Sequence, residues 1–386
     1  MNRPVREDDD VVTCFRDGEV ILRSERRTEG FTMSDKEIGY QGINKGDIVI
    51  HGMDGFAGSM GVSKSTGKGS PVLIVCNPKS DDDARYIIYY LRSLAMNNVF
   101  VALATGIRER SCDLRWNKIS VLPFIRPTFG EQKKIADFID MKSEEIDSLI
   151  GLQEQMIEKL KAYKQSVITE AVTKGLNPNA KLVPSGIDWI GEIPEGWKIT
   201  RLKYIGNYIN GYAFKPEDWS REGLPIIRIQ DLSGSNDDPN YFSGVIDEKY
   251  LIHKGDILIS WAATLDAFVW EKEDGWLNQH IFKAEINSNI EKNFFYWLVK
   301  IAMQNMNNDN KHGIFMQHVT TGVFNNFQIP LPPKNEQLEI ATYLDCKSSE
   351  IDKLIALKQQ KIEKLKDYKK SVIYEAVTGK TDLRDS

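Results

Sequence analysis

Apolar residues recur at alternating steps of four and three along two separate stretches of the chain. The first stretch carries Ile146, Ile150, Ile157, Leu160, Val167 and Ala171, interrupted by Gln153 and Lys164. The second carries Ile351, Ile355, Ile362, Leu365, Val372 and Ala376, interrupted by Lys358 and Lys369. Such a seam predicts a long helix that packs along its length on another helix. Leu149 with Tyr163, and Leu354 with Tyr368, are expected to widen the seam. Pro127 punctuates the start of the first helix, and Gly175 and Gly379 lie just past the last periodic residues, where helices end. Taken as about 30 residues, Glu144 to Thr173, the first helix spans about 45 Å, or about 13 base-pair steps.

The two stretches belong to one repeat. Residues 131–173 and 336–378 align without a gap at an offset of 205 positions, with 28 of 43 residues identical. A weaker echo, Lys45-Gly-Asp-Ile-Val-Ile-His51 against Lys254-Gly-Asp-Ile-Leu-Ile-Ser260, extends the duplication into the blocks that precede each helix. A repeated unit fixes architecture before local detail does. Two like helices in one polypeptide, over 150 residues apart, can return antiparallel and bury each other's stripes. The alternative is that each pairs with another molecule. The fold class is therefore mixed α/β: two α/β domains joined by two long antiparallel coiled-coil helices in a pseudo-two-fold tandem repeat. The expected divisions are 1–125, a first variable domain; 126–178, a helical region; 179–330, a second variable domain; and 331–386, a second helical region.

Within the first block, β-like runs (Asp10–Phe15, Asp47–Ile50, Pro71–Cys76) alternate with glycine-rich turns, and Asp82–Met96 has helical spacing. In the second, strands are expected at Pro225–Ile229 and Asp256–Ser260, and a helix at Phe294–Met303. The helices stayed alike while the blocks diverged. Copies of one ancestor drift for the same time, so the helices meet one constraint twice and the blocks meet two different targets. A two-headed reader on a symmetric frame fits this better than an enzyme with one active site.

At 386 residues the chain is long enough for two to three domains. No apolar run approaches the length of a membrane span, and four dispersed cysteines without CxxC spacing point to a reducing cytoplasm. The net charge of −5 argues against a protein that coats nucleic acid by bulk charge. Gly61–Gly69 resembles a phosphate loop but has five residues between its glycines and Gly69 in place of Ser/Thr, so it reads as a turn. Glu131-Gln-Lys133 has a nuclease-like spacing, yet it opens the repeated helix, where a carboxylate favours the macrodipole. No nucleotide fingerprint, methyltransferase tetrad or histidine grouping stands out, which leaves the chain without a catalytic or metal site of its own.

Three motifs resemble a known family. They are the Glu-Gln-x-x-Ile-Ala opening at Glu131 and Glu336, the Ile-Glu-Lys-Leu-Lys-x-Tyr-Lys-x-Ser helix at Ile157 and Ile362, and Gly-Ile-x-Trp-Ile-Gly-x-Ile-Pro-x-Gly-Trp at Gly186–Trp197. Together they look like the specificity subunits of type I restriction–modification enzymes, which act in phage defence. The resemblance implies a non-catalytic, cytoplasmic subunit that reads a bipartite target on double-stranded DNA. It also implies that the paired helices dock two methyltransferase subunits, which restriction (translocase) subunits then join. S-adenosylmethionine, ATP and Mg would bind those partners. Gly186–Trp197 has no counterpart ahead of the first block, so the first domain is expected to lack about 25 residues and its leading strand. The rival readings are a coiled-coil adaptor that does not bind DNA, or an inactive fragment.

On that resemblance, DNA contacts are sought among side chains that can hold a base edge or a phosphate. In the first block these are Arg23, Arg26, Arg27, Lys64, Lys68, Arg108, Arg110 and Arg115. In the second they are Arg228, Gln230, Gln279, His280, Lys311, His312 and Gln317. Residues 185–330 hold 13 basic and 19 acidic side chains, so any DNA face there is a local patch.

Overall fold

The computed structural model describes residues 3–6, 8–26, 38–103, 114–234, 238–309 and 319–383. The chain divides into two compact units: Met1–Met156 with Lys358–Ser386, and Ile157–Leu357.

In the first unit the strands are β1 (Val12–Cys14), β2 (Val20–Leu22), β3 (Gln41–Ile43), β4 (Ile48–His51), β5 (Met60–Val62), β6 (Gly67–Gly69) and β7 (Leu73–Cys76). The helices α1 (Ala84–Met96), α2 (Val99–Leu103) and α3 (Trp116–Ile119) follow, and then α4 (Phe129–Lys174) begins. Strand order is β5-β4-β7, with β1 pairing β2 and β3 pairing β6, all antiparallel. Gly61 and Gly67 stand in strands, which corrects the reading of Gly61–Gly69 as a turn. A Cβ on Gly61 would lie 2.0 Å from the Gly18 carbonyl oxygen, and one on Gly67 2.4 Å from that of Asp10. Close backbone approach, not turn geometry, requires glycine here.

The second unit has β8 (Leu182–Pro184), β9 (Glu192–Pro194), β10 (Lys198–Arg201), β11 (Gly206–Asn210), β12 (Leu224–Ile227) and α5 (Ile229–Ser233). It continues with β13 (Tyr241–Phe242), β14 (Leu251–Ile252), β15 (Ile257–Ser260), β16 (Asp266–Val269), β17 (Gly275–Leu277) and β18 (Ile281–Ile286). Then come α6 (Lys292–Asp309), α7 (Thr321–Asn326), β19 (Gln328–Leu331) and α8 (Lys334–Val377). Its sheets are β11-β18-β15-β16 and β13-β12-β17-β14, with β10 on β19 and β8 on β9. The order β18-β15-β16 repeats β7-β4-β5. The parallel β12–β17 pair repeats the bridge of Val11 to Lys68. Ile229, expected at a strand end, starts α5 instead, where the Asp231 carboxylate accepts the Arg228 N–H at 2.7 Å.

Each unit is built on the start of one long helix and the end of the other, so the helices run antiparallel. In the first, Tyr86 and Tyr90 of α1 pack on Ala136 and Ile139 from α4 and on Ile373, Ala376 and Val377 from α8. In the second, Phe294 and Leu298 of α6 share a core with Ala341 and Leu344 from α8 and with Ile168, Ala171 and Val172 from α4.

The repeated Glu-Gln motif now has a physical role. Gln132 is fully buried; its Oε1 accepts the Asp83 N–H at 3.0 Å and its Nε2 donates to the Pro127 carbonyl at 3.0 Å. Gln337, its copy, accepts the Glu291 N–H at 2.8 Å and donates to the Pro332 carbonyl at 3.0 Å. Each glutamine thereby satisfies a backbone donor at the N-terminus of the unit's own helix, where such donors lack intrahelical partners. The aspartate eight residues on completes the anchor. Asp140 accepts from Arg85 and Tyr89 of α1, and Asp345 from Asn293 (3.0 Å) and Trp297 Nε1 (2.8 Å) of α6. Glu131 closes a capping box with Thr128, whereas Glu336 takes the indole N–H of Trp197 at 3.0 Å.

The seam positions Ile146, Ile157, Ile351 and Ile362 are buried, and Ile150, Leu160, Val167, Ile355, Leu365 and Val372 are half-buried. Leu149, Tyr163, Leu354 and Tyr368 do not widen the seam. All four are exposed, because two helices alone bury only a narrow stripe. The helices are also longer than the 30 residues read from the seam, 46 and 44 residues, since their first turns dock the globular parts. At 1.5 Å per residue the first is about 69 Å long, of which Glu144 to Thr173 makes up about 45 Å, as read from the seam.

Candidate nucleic-acid interface

Strand register in the second unit gathers several loops at one end of the sheets. Ser260 pairs with both Ile281 and Asp266, and Asn210 pairs with Phe282. The chain leaving β11, the β15–β16 loop and the β17–β18 loop therefore share that end. The parallel pairing of Ile227 with Leu277 brings the chain leaving β12 to the same place.

Gln279 and His280 occupy the β17–β18 loop. The Gln279 N–H donates to the Tyr212 carbonyl at 2.8 Å, and the Asn278 N–H to the Ile227 carbonyl at 3.2 Å. His280 takes a left-handed backbone, φ 74°, which is uncommon for a residue with a side chain and is held by its neighbours. Its carbonyl accepts the Trp261 N–H at 3.1 Å, and its exposed ring meets the Trp261 ring edge-on at 4.7 Å. Trp261 Nε1 donates to Asn210 Oδ1 at 3.0 Å, and the ring stacks at 5.9 Å on Phe282. Arg228 follows β12. Its guanidinium lies 4.7 Å over the Trp219 ring, and Asn240, with its amide oxygen turned toward it, accepts both terminal nitrogens at 2.9 and 3.0 Å. Gln230 stands exposed in α5. This end thus unites exposed amide and imidazole groups with an arginine oriented by an aromatic ring, the groups that read base edges and phosphates.

Arg228, Gln230, Gln279 and His280 thus belong to one cluster, while Lys311, His312 and Gln317 lie outside the described residues. Trp219, Trp261, Asn210 and Asn240 were missed in the sequence. A tryptophan immediately after the strand Ile257–Ser260 was the available signal.

The first unit places its candidates differently. Arg26 is engaged by Asp17 at 2.6 Å and Glu19 at 3.2 Å, and sits 4.3 Å over the Phe15 ring. The Arg26 bond holds the Asp17 carboxyl below its usual range. Lys64 pairs with Glu19 at 2.9 Å, Arg23 donates to Thr13 Oγ1 at 3.3 Å, and Lys68 is buried in β6. These side chains are already matched with protein groups. Arg115 is exposed at the start of α3. Arg27, Arg108 and Arg110 lie outside the described residues.

Comparison with known proteins bears on the whole chain and its fold. Residues 194–367 match the family model described as the type I restriction modification DNA specificity domain. The EcoBI specificity subunit of Escherichia coli, a type I restriction enzyme subunit, is 29% identical over 208 residues. That match covers 53% of this chain and 44% of the relative, so the chain spans less than half of that protein. The type I restriction enzyme MjaVIII specificity subunit of Methanocaldococcus jannaschii is 25% identical over 369 residues, 90% of this chain and 79% of the relative. A chain from a structure of the complex assembly and conformational transition of the type I R-M system superposes with a TM-score of 0.69 at 17% identity. It covers 87% of this chain and 83% of its own, a likeness of fold. The duplicated helices, the docked mixed units and these matches agree: the chain is similar to the specificity subunits of type I restriction–modification systems, and its residues 194–367 match their DNA specificity domain.

Proposed function

We propose that this chain is the non-catalytic DNA-reading subunit of such a system, acting in the cytoplasm. Each unit would read one half of a bipartite target on double-stranded DNA. The helices would dock two methyltransferase subunits, to which restriction subunits add. S-adenosylmethionine, ATP and Mg would belong to those partners.

One observation carries the reading: the frame is the same twice and the heads are not. Gln132 and Gln337, and Asp140 and Asp345, hold the same posts in both units, while the partners of the aspartates have changed from Arg85 and Tyr89 to Asn293 and Trp297. Exposed Leu149, Leu152, Met156, Leu354 and Leu357 on the helices are suited to burial against partner subunits. Among the described residues no helix is long and apolar enough to cross a membrane.

The test is co-expression with a type I methyltransferase subunit and mapping of methylated adenines at sequence resolution. A bipartite motif is expected, and exchanging residues 180–330 for those of another specificity subunit should alter one half only. Absence of a bipartite motif, or a motif indifferent to the exchange, overturns the proposal.

A further inference from the structure

Among the described residues, three other than glycine hold a left-handed backbone: Asn98, Ala263 and His280. Asn98 follows the end of α1, a place where asparagine commonly turns the chain. The other two lie in neighbouring loops at one end of the second unit, because Ser260 pairs with both Asp266 and Ile281. Trp261 joins the two loops, with its N–H on the His280 carbonyl and its ring edge-on to the imidazole.

The turn from β15 to β16, residues 261–265, is braced on each side. Ser260 Oγ donates to the Ala262 carbonyl at 3.1 Å, the Trp261 carbonyl accepts the Val319 N–H at 2.8 Å, and Leu265 is buried. Ala263 and Thr264 stand exposed between these braces. Glycine would hold the φ of 59° at Ala263 without strain, as Gly58, φ 91°, does in the β4–β5 connection of the first unit. Alanine adds only a methyl group there, and strain kept at an exposed tip points to function. The turn, Trp-Ala-Ala-Thr-Leu, carries no cation, so it is not built to neutralise a phosphate. On a base edge, an exposed methyl group is matched by the 5-methyl of thymine in the major groove.

We propose that Ala263 determines specificity, packing its methyl group on the 5-methyl of one thymine in the half-site that the second unit reads. Thr264 flanks the same contact, and the His280 imidazole takes a hydrogen-bonding group on the neighbouring base edge. The inference rests on the second unit being a DNA reader, and names the feature of the base that it senses.

The test uses the full chain assembled with methyltransferase subunits, on duplexes carrying the bipartite motif found by methylation mapping. Each thymine of the half-site, on either strand, is replaced in turn by deoxyuridine, which lacks only the methyl group. One replacement should weaken binding about fourfold, the worth of one buried methyl group. Ala263→Gly should weaken binding to the thymine duplex by a similar factor and make the complex indifferent to that same deoxyuridine. Such coupling between a methyl on the protein and a methyl on the DNA is not produced by a merely structural role. Thermal stability of Ala263→Gly should be unchanged or raised, since glycine suits the backbone. If it falls instead, Ala263→Asn, which also tolerates the left-handed conformation, takes its place in the cycle. A half-site without thymine, indifference to every deoxyuridine, or a sensitivity that the variant leaves intact overturns the inference. A complex that binds its motif specifically in those cases leaves the second unit a DNA reader, whereas no specific binding at all overturns both.

Discussion

Lys164 Nζ lies 2.7 Å from both carboxylate oxygens of Asp352, and the same bond recurs one repeat later, from Lys369 to Asp147 at 2.8 and 2.7 Å. Each lysine interrupts the apolar seam of its own helix and crosses to the other, so these two polar breaks in the heptads are interhelical ties. Both aspartates are more than half exposed, which limits each tie to about 0.2–1 kcal/mol. Asp352→Lys should lower the urea midpoint of the second unit, and adding Lys164→Asp should restore most of the loss. The coupling should shrink at high salt. Additive effects in this double-mutant cycle would show that the bond contributes nothing.

The two glutamines should matter more. Gln337→Ala leaves the Glu291 N–H and the Pro332 carbonyl unpaired in a buried place, at a cost of about 1–3 kcal/mol. Gln132→Ala should do the same for the first unit. Gln337→Glu keeps the acceptor but loses the N–H that Pro332 accepts, and puts a carboxylate in the interior, so it should be at least as damaging. Thermal unfolding of the three variants checks this.

How much of this was legible beforehand differs from element to element. The seam reported Ile146, Ile157, Ile351 and Ile362 correctly as inward-facing, because helix period is local information. It did not tell that the helix ends face a globular core, where Ile168 and Ala341 lie off the seam and Ala171, a seam position, is shared with that core. Gly61 and Gly67 looked like turn residues because the demand for glycine comes from Gly18 and Asp10, distant in sequence. The candidate surface was the least readable. Arg26 and Lys64 stood out as cations, yet Asp17 and Glu19, which engage them, are ordinary acidic residues whose approach only the fold determines.

His51 gives the first unit a pH dependence. Burial lowers its pKa from the usual value near 6.5, with Arg16 adding to the effect and Asp54 opposing it. Its Nδ1 accepts the N–H groups of Met53 at 3.3 Å and Asp54 at 3.0 Å, bonds that a proton there would break. The unfolded chain binds that proton first, so stability is fully present above about pH 6.5 and is lost as pH falls toward the lower folded value. Below that value no further loss comes from this group. His51→Asn keeps an acceptor and does not titrate, so its stability should be flatter between pH 7 and pH 5 on chemical unfolding.

His280 allows folding and reading to be separated. Its left-handed backbone suits glycine, so His280→Gly should leave thermal stability unchanged or slightly raised. If the end of the second unit formed by Trp261, Arg228 and Gln279 reads DNA, the same change removes a ring displayed toward a base edge. Specific binding by the assembled methyltransferase complex should then fall by about 5- to 150-fold, the equivalent of about 1–3 kcal/mol. The loss should fall on one half of the target alone. Lys64→Ala, which breaks the bond to Glu19, should leave binding within about twofold, since Glu19 already engages its ammonium. Affinity measured for both variants on duplexes altered in one half-site at a time decides the matter. Equal losses for the two would mean that the surface around His280 is no more than one part of a general electrostatic attraction.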